Sequence, residues 1–199
     1  MKPGSGGRAT DANRVIQARP RRVTREMRRF MPLLAAFFSS LFGAAQAGSG
    51  ERVDRPAPEV TGLNQDGREV RFAEVYAKGP TVVFFYPKAN TPGCTAQACS
   101  LRDAFAELQQ QGVQVLGVST DGAAAQQKFK TQHRLPYDLI ADPEGKILAA
   151  FGVGKVLGLL PFASRQCFLI QNGRIVWHDA SASTATQADD IRRVLKEGR

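Results

Sequence analysis

The feature that most constrains the fold is a strand of the buried type that leads directly into a helix. Thr81–Tyr86 is a continuous run of β-branched and aromatic residues, which is typical of a strand covered on both faces. Cys94–Gln111 follows with helical spacing, and Leu101, Phe105 and Leu108 fall on one face of the predicted helix. A strand of this kind needs helices on both sides, so the segment predicts an α/β protein with a central sheet.

The remaining predicted elements alternate in the same way and end in a hairpin. Asn172-Gly173 is a strong two-residue signal for the turn between two antiparallel strands. The predicted strands lie at 70–72, 113–119, 137–141, 166–170 and 174–178, and the predicted helices at 122–133, 144–151 and 184–196. This order predicts a mixed sheet with helices on both faces, and a final ββα unit after a βαβ unit is typical of the thioredoxin-like fold.

The net charge of +9 is concentrated at the N-terminus. Residues 1–29 hold nine lysine and arginine side chains against Asp11 and Glu26, which accounts for +7 of the +9. The rest of the chain therefore has a net charge that is ordinary for a globular domain. The basic balance gives no reason to expect a nucleic-acid partner.

The same region resembles an export signal. Arg28-Arg29 precede the apolar run Met31–Phe38, and Ala45-Gln46-Ala47 supplies the small-x-small pattern of a cleavage site. The apolar run is shorter than the ~20 residues that a membrane-spanning helix needs. We therefore expect residues 1–47 to be a basic extension and a cleaved signal peptide, with no stable membrane association after cleavage. The expected location is the bacterial periplasm, and a cytoplasmic location is the alternative if the segment is not a signal.

The predicted organisation after this segment is simple. Residues 48–56 are polar and without periodicity, which predicts a linker, and residues 57–199 are predicted to form one domain. Export implies an oxidising compartment, in which cysteines commonly form structural disulfides. The chain has three cysteines, Cys94, Cys99 and Cys167, so at least one of them lacks a partner within the chain.

The spacing of Cys94 and Cys99 is informative about their chemistry. A thiol reacts as its thiolate, and Cys94 lies at the predicted first turn of a helix, where negative charge is favoured. Residues i and i+5 of an α-helix are separated by ~7.5 Å of rise and ~140° of rotation. Their Cα atoms would then lie beyond the ~7 Å limit for a disulfide. A bond between the two cysteines requires the first turns of the helix to unwind, which suits a catalytic cycle better than a permanent crosslink.

The same spacing also limits the alternatives. It is not the Cys-x-x-Cys redox motif, and it matches no zinc-binding pattern. The two histidines, His133 and His178, are far from the cysteines in sequence and are expected to be surface residues. The sequence therefore predicts neither a metal site nor a cofactor. A structural disulfide or two buried apolar cysteines stay open at this point.

The residues around Cys94 resemble the active-site signature of the peroxiredoxins. Pro87-x-x-x-Thr91-x-x-Cys94 matches that signature, and the longer stretch from Phe85 to Asp103 is similar to the Q-type, or bacterioferritin comigratory protein, branch. Val115–Asp121 and 165–170 also match the branch in order. The resemblance covers residues 57–197 and implies a thioredoxin-like peroxidase domain.

The resemblance also implies a role for each matching residue. Cys94 would be the peroxidatic nucleophile and Cys99 the resolving thiol, which together give an intramolecular disulfide. Thr91 would offer its hydroxyl to the peroxide, Arg165 would stabilise the thiolate and the developing negative oxygen, and Pro87 would shield the pocket from water. The implied partners are a peroxide and a thioredoxin-like dithiol reductant, and the branch is commonly monomeric.

Two alternatives accompany this prediction. The first is a thiol–disulfide oxidoreductase of the same fold that acts on protein substrates, and the second is a non-catalytic module with a structural disulfide. Cys167 stands where the family more often has threonine or serine. It is expected either to be a buried, inert strand residue or, because it shares a strand face with Arg165, to act as a second resolving thiol.

Overall fold

The structure, a computed structural model, describes residues 50–155 and 162–198. These residues belong to one compact unit, Gln46–Arg199. The predicted basic extension and signal peptide at 1–47 lie outside the described residues. Within the described ranges, no helix is both long and apolar enough to cross a bilayer.

Four strands form the centre of a single eight-stranded sheet. They are β4 (Thr81–Phe85), β5 (Gln114–Ser119), β6 (Asp138–Ala141) and β7 (Gln166–Gln171). β4 is parallel to β5 and antiparallel to β7, and β5 is parallel to β6. Every residue of β4 is buried, as the continuous apolar run predicts for a strand covered on both faces.

Four outer strands complete the sheet. β8 (Arg174–Asp179) follows β7 through the predicted Asn172-Gly173 turn, in which both turn residues have positive φ. The other three are β1 (Glu51–Pro56), β2 (Thr61–Asn64) and β3 (Glu69–Arg71). The strand order is β1-β8-β7-β4-β5-β6-β2-β3, so β1 and β3 are the edges.

Strand β1 corrects the predicted linker. Glu51–Pro56 were expected to lack structure, but they pair antiparallel with β8. Five of these six side chains are exposed, because the strand is held by backbone hydrogen bonds at the edge of the sheet and not by burial. A strand of this kind has no apolar alternation, so periodicity does not reveal it.

Helices cover both faces of the sheet. They are α1 (Phe72–Tyr76), α2 (Pro92–Gln110), α3 (Ala123–His133), α4 (Lys146–Phe151) and α5 (Gln187–Glu197). Leu101 of α2 and Ile191 of α5 share a core with Val82 and Phe84, whereas α1 and α4 pack with Val83 and Phe85. The period-2 alternation of β4 thus separates two cores, and the predicted mixed sheet with helices on both faces is confirmed.

Candidate active site

Cys94 lies in the first turn of the long helix α2, just after the loop that follows β4. Thr91 is the N-cap residue and Pro92 the first helical residue. Proline is well suited to that position, because its fixed φ matches the helix and its missing N–H would have had no partner in the helix. The predicted start of the helix is correct to within two residues. The thiol therefore lies where the helix dipole favours negative charge.

Cys94 is buried, and Arg165 reaches its sulfur. The side chain of Cys94 is 1% exposed. The Nη2 atom of Arg165, in the segment just before β7, donates a hydrogen bond to Cys94 Sγ over 3.5 Å. Because a guanidinium is always charged, this contact is suited to stabilise a thiolate and the negative charge that develops on an attacked peroxide. The structure thus joins two of the predicted site residues that lie 71 positions apart.

Two neighbours position Arg165, and the sequence reasoning missed both. Arg165 Nη1 donates to Gln97 Oε1, so the two arms of the guanidinium contact a thiol and an amide on the same helix. A Cβ atom at Gly93 would lie 3.3 Å from Arg165 Nη2, so glycine leaves the space that the guanidinium occupies. Gln97 is three residues after Cys94 and therefore lies on the same helix face, a spacing that could have identified it.

Thr91 and Pro87 shape the loop before the helix. The hydroxyl of Thr91 donates to the carbonyl oxygen of Lys88 over 3.0 Å, and it does not cap α2. With its proton committed to Lys88, the Thr91 oxygen presents its lone pairs and is suited to accept a hydrogen bond from a peroxide O–H. Pro87 is half-buried and follows the buried Tyr86. Its predicted role in shielding the pocket stays a prediction.

A partly buried polar network connects this loop to the end of the neighbouring strand. The backbone N–H of Ala89 donates to Asp121 Oδ2 over 2.8 Å, and Ser119 Oγ donates to the same oxygen over 2.8 Å. Gln126 of α3 donates to Ser119 Oγ over 2.9 Å and accepts a hydrogen bond from the Tyr86 hydroxyl. The network fixes the loop that carries Pro87 and Thr91 relative to the end of β5.

Cys99 lies on the same helix as Cys94, and both are free thiols. Cys99 is half-buried, whereas Cys94 is buried. Because both lie within Pro92–Gln110, they are separated by ~7.5 Å of rise, and the helical conformation holds them too far apart for a disulfide. The structure therefore shows the folded form of the site, with both cysteines as free thiols.

Cys167 lies inside the sheet. It is fully buried on β7 and pairs with Phe84 of β4. Burial raises the pKa of the Cys167 thiol, so the thiol is neutral and a poor nucleophile at physiological pH. Both observations favour the inert, structural interpretation of this residue over a second resolving thiol. Within residues 50–155 and 162–198, no group of three or more His, Cys, Asp or Glu side chains is arranged to hold a metal ion.

The comparison with protein families agrees with the geometry. A model described as the AhpC/TSA family matches residues 53–178. The chain belongs to the AhpC/TSA family. Its relatives include peroxiredoxin bcp1, so this chain is a peroxiredoxin. Peroxiredoxins are thiol peroxidases. Cys94 and Arg165, joined at the helix N-terminus, lie within the matched region.

Two relatives show how far the similarity of this peroxiredoxin extends. It is 34% identical over 140 residues to peroxiredoxin bcp1 of Schizosaccharomyces pombe. The aligned region covers 70% of this chain and 72% of that protein. It is 38% identical over 121 residues to the chloroplastic peroxiredoxin Q of Oryza sativa subsp. japonica, covering 60% of this chain and 54% of the relative. The chain thus spans about half the length of the plant proteins that it matches.

Solved structures support the same fold. Peroxidoxin BcpB from Mycobacterium tuberculosis superposes with a TM-score of 0.69 at 33% identity, covering 74% of this chain and 98% of that protein. A bacterioferritin comigratory protein from Xanthomonas campestris, studied for its alkyl peroxide reduction activity, superposes with a TM-score of 0.67 at 24% identity, covering 74% of this chain and 99% of that protein. The peroxiredoxin fold of this chain is therefore established, as the sequence predicted.

Proposed function

We propose that this peroxiredoxin reduces hydrogen peroxide and organic hydroperoxides through a sulfenic acid on Cys94 and a disulfide between Cys94 and Cys99. The single observation that carries the proposal is the hydrogen bond from Arg165 Nη2 to the buried sulfur of Cys94 at the start of α2. A buried thiol paired with a guanidinium at a helix N-terminus is suited to nucleophilic attack on an oxygen atom.

In the first step, the Cys94 thiolate attacks one oxygen of the peroxide. The S–O bond forms as the O–O bond breaks, and the other oxygen leaves as water or an alcohol after it takes up a proton. The sulfur is oxidised by two electrons and the peroxide is reduced by two. Arg165 is placed to stabilise the negative charge on the leaving oxygen, and Thr91 to orient the peroxide.

In the second step, the Cys99 thiol attacks the sulfur of the Cys94 sulfenic acid. The S–S bond forms, the S–OH bond breaks, and the hydroxyl leaves as water with the proton of the thiol. The first turns of α2 must unwind for the two sulfurs to meet. A dithiol protein of thioredoxin type then reduces the disulfide by exchange and returns both cysteines to the thiol form.

The proposal also covers substrate, location and assembly. The Xanthomonas campestris protein, studied for alkyl peroxide reduction, is similar to this chain in fold at 24% identity. We therefore include organic hydroperoxides among the proposed substrates. The apolar run and cleavage pattern before Gly48 support export to the periplasm. An intrachain resolving cysteine needs no second subunit, which supports a monomer.

Rapid mixing with hydrogen peroxide and a dithiol reductant tests the proposal. We expect Cys94→Ser to abolish peroxide consumption, and Cys99→Ser to react once and then stall or over-oxidise. Cys167→Ser is the matched control, because it removes a thiol from the same core and is expected to leave turnover unchanged. Peroxide consumption by the wild type at no more than the rate of free cysteine would refute the peroxidase mechanism. Reduction of protein disulfides instead would favour the oxidoreductase alternative.

A further inference from the structure

The proposed cycle, on which this inference depends, sets two demands on α2 that cannot be met at once. Attack on peroxide uses the folded helix, in which Cys94 contacts Arg165. Disulfide formation requires the residues between Cys94 and Cys99 to leave the helix. Any contact that is made only to the folded form of this segment therefore slows the second step relative to the first.

Tyr137 makes a contact of this kind. Its hydroxyl donates a hydrogen bond to the carbonyl oxygen of Ala98 over 2.6 Å, and both residues are buried. Ala98 lies between the two cysteines, in the stretch that must unwind. Its carbonyl oxygen lies in the interior of α2, so the tyrosine bond is additional to the bond that the oxygen accepts within the helix.

The phenol ring of Tyr137 is anchored outside α2. Tyr137 immediately precedes β6, and its ring packs edge-on against Phe84 of β4, with 5.8 Å between ring centroids. The ring also contacts Phe105 at 5.8 Å, more than one helical turn beyond Cys99. Burial raises the pKa of Tyr137 well above its ordinary value, so the hydroxyl keeps the proton that it donates. The Tyr137 hydroxyl is therefore held in place by the sheet and by the part of α2 that follows Cys99. The Ala98 carbonyl oxygen that accepts its hydrogen bond belongs to the segment that unwinds.

We propose that the Tyr137 hydroxyl is a positioning group that holds residues 94–99 in the helix and thereby sets the balance between disulfide formation and over-oxidation. The sulfenic acid on Cys94 has two competing fates. In the unwound form it condenses with Cys99. In the folded form, beside Arg165, it can react with a second peroxide molecule, which gives a sulfinic acid and water or an alcohol.

The size of the effect follows from the loss of one buried hydrogen bond. Tyr137→Phe keeps the ring and its contacts with Phe84 and Phe105, and it leaves the Ala98 carbonyl with its helical partner. The unwound form should then gain about fivefold in population relative to the folded form, the equivalent of one net hydrogen bond. Disulfide formation should accelerate by the same factor if the folded form predominates.

Tyr76 offers a matched control. Its hydroxyl donates to the carbonyl oxygen of Pro58 over 3.1 Å, and the residue is buried in the core on the opposite face of the sheet. Tyr76→Phe therefore removes the same group from a comparable bond far from the cysteines. Both variants are expected to show similar midpoints of urea unfolding, so a change in global stability cannot account for a difference between them in disulfide formation or in local hydrogen exchange.

The experiment is a single turnover of the reduced full chain with hydrogen peroxide, quenched at intervals and followed by mass spectrometry. We expect Tyr137→Phe to form the Cys94–Cys99 disulfide about fivefold faster. It should need correspondingly more peroxide to reach sulfinic acid, while the rate of the first oxidation stays within about twofold of wild type. Tyr76→Phe should match the wild type in all three quantities. Amides of residues 94–100 should also exchange with deuterium about fivefold faster in reduced Tyr137→Phe.

The inference is overturned if Tyr137→Phe resolves within about twofold of the wild-type rate or more slowly, or if Tyr76→Phe accelerates resolution equally. These outcomes leave the proposed function intact, because the wild type would still form the disulfide. If the wild type forms no disulfide between Cys94 and Cys99, the proposed function itself fails and the inference falls with it.

Discussion

The pair of contacts made by Arg165 leads to a quantitative prediction about Gln97. Gln97 is buried, and its Oε1 atom accepts a hydrogen bond from Arg165 Nη1, while Nη2 of the same guanidinium reaches the sulfur of Cys94. Gln97 does not contact the sulfur in any hydrogen bond of the described residues, so it should act on the reaction only by fixing the orientation of Arg165.

The magnitudes follow from the bonds that each substitution removes. Arg165→Met removes the cation that stabilises the transition state, and we expect the rate constant for oxidation by peroxide to fall about 10²–10³-fold. Gln97→Leu removes one hydrogen bond to a charged group. Since Arg165 is only half-buried, water can replace part of that bond, and we expect a loss of about tenfold. The Nε2 atom of Gln97 has no hydrogen-bond partner within the described residues, so the substitution by leucine removes no other hydrogen bond of this side chain.

A double-mutant cycle separates positioning from an independent effect. The assay is the second-order rate of thiol loss at Cys94 after rapid mixing with hydrogen peroxide. We expect the double variant Gln97→Leu with Arg165→Met to be as slow as Arg165→Met alone, within about twofold. Gln109→Leu, an exposed position on the same helix, is the control and should react like the wild type. If the two effects multiply in the double variant, Gln97 does not act through Arg165 and the reasoning is refuted.

Two further predictions concern space and charge. A Cβ at Gly93 would lie 3.3 Å from Arg165 Nη2, so Gly93→Ala should displace the guanidinium and slow peroxide oxidation about tenfold; an unchanged rate in stopped-flow mixing would contradict this. Burial acts to raise the pKa of Asp138, but hydrogen bonds from Gln65 and Lys130 outweigh it and leave the pKa below its ordinary value. The stability from this lowered pKa is present above the unfolded-state pKa and is lost as the pH falls through the folded-state pKa. Asp138→Asn should therefore destabilise the protein at pH 7 and lose this effect at an acidic pH below the folded-state pKa. Urea unfolding at both pH values measures it, and an equal cost at both would refute the assignment.

The sequence predicted the central elements well, because their side chains carry the pattern. Thr81–Phe85 is buried on both faces and therefore forms an unbroken run of β-branched and aromatic residues. Asn172-Gly173 marks the hairpin between β7 and β8 through the positive φ of both turn residues. Edge strand β1 (Glu51–Pro56) was missed for the opposite reason. Its contribution is made by backbone groups, which every residue has, so no choice of side chains reveals it.

In the candidate site, too, the features set by local spacing were predictable, and the long-range contacts were not. The local spacing around Cys94 predicted a reactive cysteine at a helix start and a second cysteine that the helix keeps out of reach. The spacing places Gln97 on the same helix face as Cys94, but it could not predict that Arg165, which lies just before β7, donates hydrogen bonds to both side chains. Those contacts depend on how β7 and α2 lie against each other.

The sequence by itself thus determined that Cys94 and Cys99 cannot bond while they share an α-helix, because the rise and rotation per residue are fixed by backbone geometry. Only the tertiary structure decided what opposes the unwinding that such a bond requires. Tyr137 lies 39 residues from Ala98 in the chain, and the hydrogen bond between them exists because the parallel strands β4, β5 and β6 bring the start of β6 beneath α2. A long-range contact of this kind follows from packing, and no local pattern of residues encodes it.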